Sequence, residues 1–298
     1  MSWLRSVTFS AGAHDRAAAR RRDEAWLRET LSAPTTRVLA VRSASQLSVA
    51  DGSHLGYLRV GELPAATQLT FLGLDGDGSA VFVFDAGEEP GEPAVAGAFA
   101  ELRALAAALP ENESAMAAQG VAMVGWHRRH RYCGVCGTLT VVEEAGHSRR
   151  CPSCEALHFP RTDPAVIMLV TSGEQCVLSR RRGARTGMWT ALSGFVEPGE
   201  TPEDAVAREV YEEVGLKVNG VTYRGAQPWP FPASLMLAFT ADAEPRNLQI
   251  DEELEDARWF ARHELIEGLR QGSLALPPSW TVSHNLIQAW LRDGTSLA

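Results

Sequence analysis

The sequence predicts a mixed α/β protein, of the α+β or α/β class, in which a short cysteine-rich segment separates two larger parts. Strand-like apolar runs and helix-like segments occur together on both sides of that segment. Four of the five cysteines fall between Cys133 and Cys154. The chain has 298 residues, more than the roughly 150 of a typical domain. We therefore expect a supporting domain over residues 1–125, a cysteine segment over 126–160 and a further domain over 161–298.

The composition is that of an ordinary globular protein. Hydrophobic residues make up 45% and charged residues 22% of the chain, which excludes a collagen-like, low-complexity or wholly disordered protein. The net charge of −9 gives no general attraction to nucleic acid or to an anionic membrane. The longest apolar runs, 104–109 and 165–170, fall far short of the ~20 residues that span a bilayer. No apolar stretch follows the basic residues 20–22, so we expect a cytoplasmic protein with no membrane partner.

The first 125 residues are predicted to form a mixed α/β domain without obvious chemistry. A helix is expected over 21–31. The Ala- and Leu-rich stretch 94–109 is also predicted to be helical and to end before Pro110. The Asp-Gly-Asp-Gly turn at 75–78 is a hairpin signal between the last two strands. The expected strands are 36–41, 55–60, 68–74 and 80–84.

One helix of the last domain is marked at both of its ends. Thr201 is a favourable N-cap, Pro202 suits the first helical position, and Asp204 completes a capping box. Gly215 is a favourable C-terminal cap. A helix over 201–214 is therefore predicted. The strands expected around it are 165–170, 176–180 and 234–241.

The clustered cysteines form two Cys-x2-Cys pairs separated by fourteen residues. Each pair, with its glycine or proline turn, can present two thiolates on one side, and two pairs supply the four thiolates of a structural zinc site. The alternative is a set of four free buried cysteines. The remaining cysteine, Cys176, is predicted to be a small core residue. The predicted Zn²⁺ ligands are Cys133, Cys136, Cys151 and Cys154.

The helix over 201–214 carries several glutamates near its C-terminal end, where the helix dipole disfavours negative charge. Glu209, Glu212 and Glu213 share one arc beside an apolar stripe of valines. Like charges four residues apart, and anions in the last helical turn, each cost a few tenths of a kcal/mol to about 1 kcal/mol. A bound divalent cation would reverse this penalty, and oxygen ligands of this kind suit Mg²⁺ or Mn²⁺. The helix alone does not separate this interpretation from a solvated acidic face.

The surrounding residues resemble the complete Nudix box. Gly194, Glu200 and the run Arg208-Glu209-Val210-Tyr211-Glu212-Glu213-Val214-Gly215-Leu216 match every fixed position of that pattern. The resemblance implies a sandwich of mixed sheet between helices, with this loop and helix holding the metal ions. It also implies a hydrolase that cleaves a nucleoside diphosphate linked to another group. Arg208 is expected to orient the glutamates rather than to contact substrate.

A second segment narrows the expected substrate. Residues 227–234 read Gln-Pro-Trp-Pro-Phe-Pro-Ala-Ser, and prolines favour an extended backbone that holds aromatic faces rigidly. An ordinary structural loop is the alternative. The segment is similar to the signature of the NADH pyrophosphatases (NudC-like), although Ala226 stands where that family usually has Ser. The zinc ribbon ahead of the Nudix box and Leu276-Pro277-Pro278 near the end also fit that family.

This resemblance implies roles for particular residues. Glu209, Glu212 and Glu213 would be catalytic and metal-binding, and the Ser193 carbonyl and Glu253 would complete the metal site. Asp251, Glu252 and Glu255 are alternatives to Glu253. Ser283 would complete the pocket of a partner chain in a homodimer. The implied substrate-binding residues are Arg103, Phe159, Phe195, Gln227, Pro228, Trp229, Pro230, Phe231, Pro232, Ala233, Ser234, Met236 and Ser283.

Three functions fit these residues. The first is an NAD(H) diphosphatase that releases NMN(H) and AMP and, as in the family, also removes NAD caps from RNA 5′ ends. The second is a Nudix hydrolase of another nucleoside diphosphate such as ADP-ribose. The third is a zinc-ribbon nucleic-acid-binding protein, which the basic run 127–131 would suit. The intact glutamates argue against the third, and the proline–aromatic segment argues against the second. Arg180–Arg182 and Arg185 are expected either to attract an anionic ligand or only to be solvated.

Overall fold

A computed structural model describes residues 7–10, 14–43, 45–64, 67–87, 98–183 and 187–293. These residues form two compact units. One unit contains Thr8–Thr162 and Trp229–Ala233, and the other contains Val7, Asp163–Pro228 and the chain from Ser234 onward. Arg185 lies outside the described residues. The division into three domains stays a prediction.

The first unit contains a six-stranded sheet covered by a long helix, followed by a small three-stranded sheet. In the larger sheet the strand order is β4-β5-β1-β2-β6, and β3 pairs with β1. The smaller sheet has the order β7-β8-β9. The strands are β1 Arg37–Arg42, β2 Gln46–Val49, β3 Tyr57–Leu58, β4 Thr70–Leu74, β5 Ala80–Asp85, β6 Ala98–Glu101, β7 Val141–Glu143, β8 Ser148–Arg150 and β9 Leu157–His158. The helices are α1 Glu24–Ser32, α2 Leu102–Leu105 and α3 Glu111–Arg129.

The prediction of a helix over 94–109 is wrong for most of the residues that the structure describes there. Residues 94–97 of that prediction lie outside the described residues, Ala98–Glu101 form a strand, and only Leu102–Leu105 are helical. The strand pairs antiparallel with β2, where Val49 faces Ala98 and Gln46 faces Glu101. Pairing along a sheet edge therefore outweighs the helix propensity of alanine, which is a weak preference.

The long helix α3, which sequence reasoning did not identify, begins directly after Pro110. Ten of its nineteen residues are buried, so its apolar pattern is too broad to read as one stripe. A Cβ built on Gly120 would lie 3.4 Å from side chains of Leu39 and Val83. The helix thus packs closely on the larger sheet at that glycine.

The second unit is a sheet covered on both faces by helices, which confirms the predicted sandwich. Its strand order is β13-β14-β10-β11-β15, and β12 pairs with β10. The strands are β10 Asp163–Ser172, β11 Gln175–Arg181, β12 Leu192–Phe195, β13 Val218–Trp229, β14 Ser234–Ala243 and β15 Leu254–Ala261. The helices are α4 Pro202–Val214, α5 Arg262–Gln271 and α6 Val282–Asp293.

Alternate residues of β10 belong to different cores, as the two-residue period of a strand requires. Val166 and Met168 pack in a cluster with the valines of α4. Ile167 and Leu169 pack in a second cluster with apolar residues of α6. One face of the sheet is therefore covered by α4 and the other by α6.

Helix α4 has the ends that the sequence predicts. Thr201 Oγ1 accepts a hydrogen bond from the Asp204 backbone N–H at 3.2 Å, and the Thr201 N–H donates to Asp204 Oδ2 at 3.3 Å. At the other end Gly215 has a φ of 73°, a left-handed conformation that favours glycine. Local chemistry fixes both ends of this helix.

Among the residues that the structure describes, no helix combines the length and the apolar character needed to cross a membrane.

Candidate active site and metal centres

The four clustered cysteines lie together as the sequence predicts. Their Sγ atoms all fall within 4.8 Å of one another. Cys133 Sγ lies 3.6 Å from Cys154 Sγ, and Cys136 Sγ lies 3.4 Å from Cys151 Sγ. Each Cys-x2-Cys pair forms a tight turn: the Gly137 N–H donates to the Cys133 carbonyl at 2.9 Å, and the Glu155 N–H donates to the Cys151 carbonyl at 3.0 Å. This arrangement fits a tetrahedral, closed zinc site.

Cys176 behaves as the predicted core residue. It is fully buried in the cluster between the sheet and α6. Burial raises the pKa of its thiol to about 12, so it stays protonated and unreactive at neutral pH.

The acidic end of the proposed active site is organised by Arg208. Its guanidinium binds both oxygens of Glu200, with Nε to Oε1 at 2.6 Å and Nη2 to Oε2 at 2.9 Å. Its Nη1 lies 2.8 Å from Glu209 and 2.9 Å from Glu212. The Arg208 contact lowers the pKa of Glu200 to about 2. Arg208 therefore orients the glutamates, as the sequence analysis expects.

Glu209 lies directly against β12. A Cβ built on Gly194 would stand 1.9 Å from the Glu209 carboxyl carbon. No side chain larger than hydrogen fits there while Glu209 keeps this position. The glycine of the motif is therefore required by the position of a carboxylate rather than by its own backbone angles.

Glu213 is the most perturbed acid of the cluster. It is 4% exposed, and burial is the main cause that raises its pKa to about 7. The charges of Glu209 and Glu253 raise it further, whereas Arg181 and the Ser193 backbone lower it. Its Oε2 is buried without a hydrogen-bond partner in the described part of the chain. Such an atom normally has a partner, so this carboxylate points to a cation that would bind it.

Arg181 contacts two of the predicted metal ligands at once. Its Nη2 donates to the Ser193 carbonyl at 2.6 Å and lies 3.5 Å from Glu213 Oε1. These two oxygens therefore attract one positive group. Sequence reasoning noted Arg180–Arg182 only as residues that could attract an anion, because nothing local to β11 indicates this contact.

The structure distinguishes Glu253 from two of its acidic neighbours, Asp251 and Glu255. Its charge acts on Glu213. By contrast, Glu255 is paired with Arg180 at 3.1 Å, and the Asp251 carboxylate accepts the backbone N–H of Glu252.

The donor set fits hard divalent cations, although the carboxylates are not gathered into one tight group. Within the described ranges, the four cysteines are the only group whose ligating atoms lie close enough together to hold an ion. Arg208 holds Glu209 and Glu212, and Arg181 lies at Glu213. Carboxylate and carbonyl oxygens are the ligands that Mg²⁺ and Mn²⁺ prefer.

The predicted substrate residues of the second unit divide into accessible and buried ones. Phe195 is 59% exposed. In the sheet it stands opposite Ala165, which on its other side stands opposite Met236. Residues opposite one another share a face, so Phe195 and Met236 lie on the α6 side of the sheet. Ser234 begins the strand that carries Met236.

Gln227 and Ser283 are instead buried and hydrogen-bonded within the chain. Gln227 is fully buried and donates to the Trp280 carbonyl at 2.9 Å. Ser283 is 4% exposed, and its Oγ lies 2.8 Å from Thr190 Oγ1. These bonds give both side chains a role in the fold of the single chain.

In the first unit, the aromatic residues of the proline-rich segment are gathered around Arg103. The Arg103 guanidinium lies 4.1 Å from the ring centre of Phe231 and 5.2 Å from that of Trp229. The two rings are themselves edge to face at 5.4 Å. The strand ends at Trp229 and the next four residues turn, so the extended backbone expected for this segment does not continue through Phe231. The residues of this turn are Pro230, Phe231, Pro232 and Ala233, and Pro228 lies before it in the strand. Phe159, the other predicted aromatic contact of this unit, is exposed.

Three family models match consecutive parts of the chain. The model described as NADH pyrophosphatase-like rudimentary NUDIX domain matches residues 21–126. The NADH pyrophosphatase zinc ribbon domain model matches residues 128–159. The NUDIX domain model matches residues 161–278.

Individual proteins are also similar to this chain. NAD-capped RNA hydrolase NUDT12 of Homo sapiens is 43% identical over 203 residues, which cover 63% of this chain and 44% of that protein. NAD-capped RNA hydrolase NudC of Chromobacterium violaceum is 40% identical over 229 residues, which cover 76% of this chain and 82% of that protein. NAD(P)H pyrophosphatase NUDT13, mitochondrial, of Mus musculus is 38% identical over 224 residues, which cover 70% of this chain and 64% of that protein. The match thus spans less than half the length of the human relative.

Proposed function

The chain belongs to the NudC-like family of Nudix proteins, and from that premise we propose that it is a metal-dependent diphosphatase of NADH and NAD⁺. The products would be NMN(H) and AMP. The observation that carries the proposal is the buried carboxylate of Glu213, which has an oxygen without a partner among the described residues and stands beside Glu209 and Glu253.

The proposed metal ligands are Glu209, Glu212, Glu213, Glu253 and the Ser193 carbonyl. A bound Mg²⁺ or Mn²⁺ would neutralise charge on the diphosphate and favour ionisation of the attacking water. Arg208 holds Glu209 and Glu212 in place. Arg181 would move away from the Ser193 carbonyl and Glu213 when a cation takes that position.

The reaction needs one group to accept a proton from water. Water adds to one phosphorus while the bond from that phosphorus to the bridging oxygen breaks, so each product keeps one phosphate. Glu212 is the more accessible of the two candidate bases, with 54% of its side chain exposed, whereas Glu213 is buried. We favour Glu212 as the proton acceptor and keep Glu213 as the alternative.

NAD caps on RNA are a second proposed substrate. The printed names of the human and Chromobacterium violaceum relatives specify NAD-capped RNA, and that of the mouse relative specifies NAD(P)H. ADP-ribose stays the alternative substrate class. The deciding experiment compares kcat/KM for NADH, NAD⁺, ADP-ribose and NAD-capped RNA with Mg²⁺ or Mn²⁺. A preference for ADP-ribose over every NAD substrate would contradict the proposal.

The zinc ion would have a structural role, since four thiolates leave no open position for water. We also propose a cytoplasmic location. Cysteines that bind zinc must remain reduced, and a reducing compartment such as the cytoplasm keeps them so. We also propose that the chain forms a homodimer. Its test is the molar mass in solution by light scattering, and a monomer at working concentration would contradict it.

A further inference from the structure

The first unit contains a cavity of about 460 Å³ that the proposed reaction does not use. Its walls come from the end of α3, from β4 and β5, and from β8 of the three-stranded sheet. One part of the wall is apolar and includes Val83, Phe84 and Val124. Another part is basic and contains Arg128, Arg131 and Arg149.

The buried cation of this cavity is Arg149, which is 6% exposed. Its Nε donates to Thr140 Oγ1 at 2.7 Å, its Nη2 to the Thr140 carbonyl at 3.2 Å, and its Nη1 to His127 Nδ1 at 2.9 Å. All three acceptors are uncharged, because an arginine can only donate and His127 must accept as a neutral ring. A guanidinium has five N–H groups, so these three bonds leave two of them for a further acceptor.

Among the described residues that line the cavity, positive charges outnumber negative ones. Arg128 is bound to both oxygens of Asp85, with its Nε 2.7 Å from Oδ2. Asp85 is the only acid among the lining residues that the structure describes, so within that set the charges of Arg131 and Arg149 have no carboxylate partner. Arg131 is exposed, and its charge disfavours that of Arg149. A buried charge in such a position is normally paired.

We propose that this cavity binds the terminal phosphate of a phosphomonoester, with Arg131 and Arg149 as its charged contacts. A phosphomonoester carries a charge of about −1.5 to −2 at pH 7, which matches the two unbalanced arginines. Guanidinium groups suit phosphate because they donate two parallel hydrogen bonds to its oxygens. The apolar wall gives room for the organic part of the ligand. A mononucleotide and the 5′-monophosphate end of an RNA share this chemistry.

The test is isothermal titration calorimetry on the full zinc-loaded chain without added Mg²⁺ or Mn²⁺. The probes are AMP and a short 5′-phosphorylated RNA, each compared with its form that lacks the phosphate, adenosine or 5′-hydroxyl RNA. Arg131→Gln removes one proposed contact. Arg129→Gln is its matched control, because Arg129 is a neighbouring exposed arginine that does not line the cavity. Gln68→Glu adds a negative charge to the cavity wall away from the cysteines.

We expect wild type and Arg129→Gln to bind a phosphorylated probe equally, and Arg131→Gln and Gln68→Glu to bind it about tenfold or more weakly, as loss of a charged hydrogen bond implies. Zinc content is measured in every variant to show that the fold is kept. Dependence on Arg131 with AMP identifies a small-molecule site, and dependence with the phosphorylated RNA alone identifies the RNA end. Equal affinities of Arg129→Gln and Arg131→Gln, or equal binding of the probes without phosphate, would overturn the proposal.

Discussion

Gly194 and Glu209 occupy adjoining positions so closely that a Cβ on the glycine would lie within 2.1 Å of both carboxylate oxygens of the glutamate. The carboxylate is the flexible end of a long side chain. A methyl group at Gly194 would therefore displace the Glu209 carboxylate before it disturbed the sheet.

Gly194→Ala is predicted to give a folded protein with little activity. A misplacement of about 1 Å in a catalytic group can lower the rate about 100-fold, so we expect a loss in kcat of that order with an almost unchanged Tm. Gly61→Ala is the matched control, since its Cβ would meet no atom within 4 Å. Steady-state kinetics and thermal unfolding measure the two effects. Near-wild-type kcat for Gly194→Ala would remove Glu209 from the proposed metal site.

Glu213→Gln keeps the shape of the side chain and removes its charge. We expect kcat to fall at least about 100-fold, because the site loses electrostatic stabilisation worth several kcal/mol. The Tm without added Mg²⁺ or Mn²⁺ should not fall, since the wild-type carboxylate is buried with one unpartnered oxygen among the described residues. Turnover close to wild type would contradict the assignment.

Cys136→Ser is predicted to release zinc and to lower the stability of the protein. Binding of a structural zinc ion contributes directly to folding. Elemental analysis should find one zinc per wild-type chain and less than one in the variant. Cys176→Ala is the control, because Cys176 lies in a different core and should leave the zinc in place. A stable, active preparation of wild type with little zinc would contradict a structural role.

Trp229→Ala tests recognition of the dinucleotide. Stacking of a base on an aromatic ring is worth about 1–3 kcal/mol by alanine substitution, so kcat/KM for NADH should fall about 5- to 150-fold. Trp229→Phe should keep most of the activity. Arg103 also contacts Phe231, so the loop retains one ring contact in the alanine variant. Equal losses on NADH and on a minimal diphosphate ester without a base would mean that Trp229 only supports the fold.

We expect His127 to make the free energy of unfolding depend on pH. Burial and the nearby Arg149 charge lower its pKa to about 4. The unfolded chain therefore binds this proton first, so stability is full above a pH of about 6.5 and is lost as the pH falls toward 4. In that window His127→Gln should reduce the slope of the unfolding free energy against pH. The reduction is at most about 1.4 kcal/mol per pH unit, the contribution of one proton. Parallel urea titrations at several pH values measure it, and identical pH profiles would show that His127 is not buried in its neutral form.

Local chemistry made part of this molecule predictable. The ends of α4 follow from Thr201, Asp204 and Gly215, which act within a few residues of one another, and the cysteine spacing places four thiols together for the same reason. The strand at Ala98–Glu101 depends on β2, which is about fifty residues earlier in the chain. The contact of Arg181 with the Ser193 carbonyl depends on a residue in another strand. The hydrogen bonds of Arg149 likewise join it to Thr140 and His127, which lie 9 and 22 residues earlier in the chain. Nothing in a local sequence window indicates them.

The alternation of β10 has an evolutionary consequence. Val166 stands opposite Gly194 on the face that carries the acidic helix, while the next residue back, Ala165, joins Phe195 to Met236 on the other face. Under the proposed function, substitutions on the face of Phe195 and Met236 would change ring recognition without displacing the carboxylates on the other face. Substrate preference and hydrolytic chemistry would then be able to change independently along one strand.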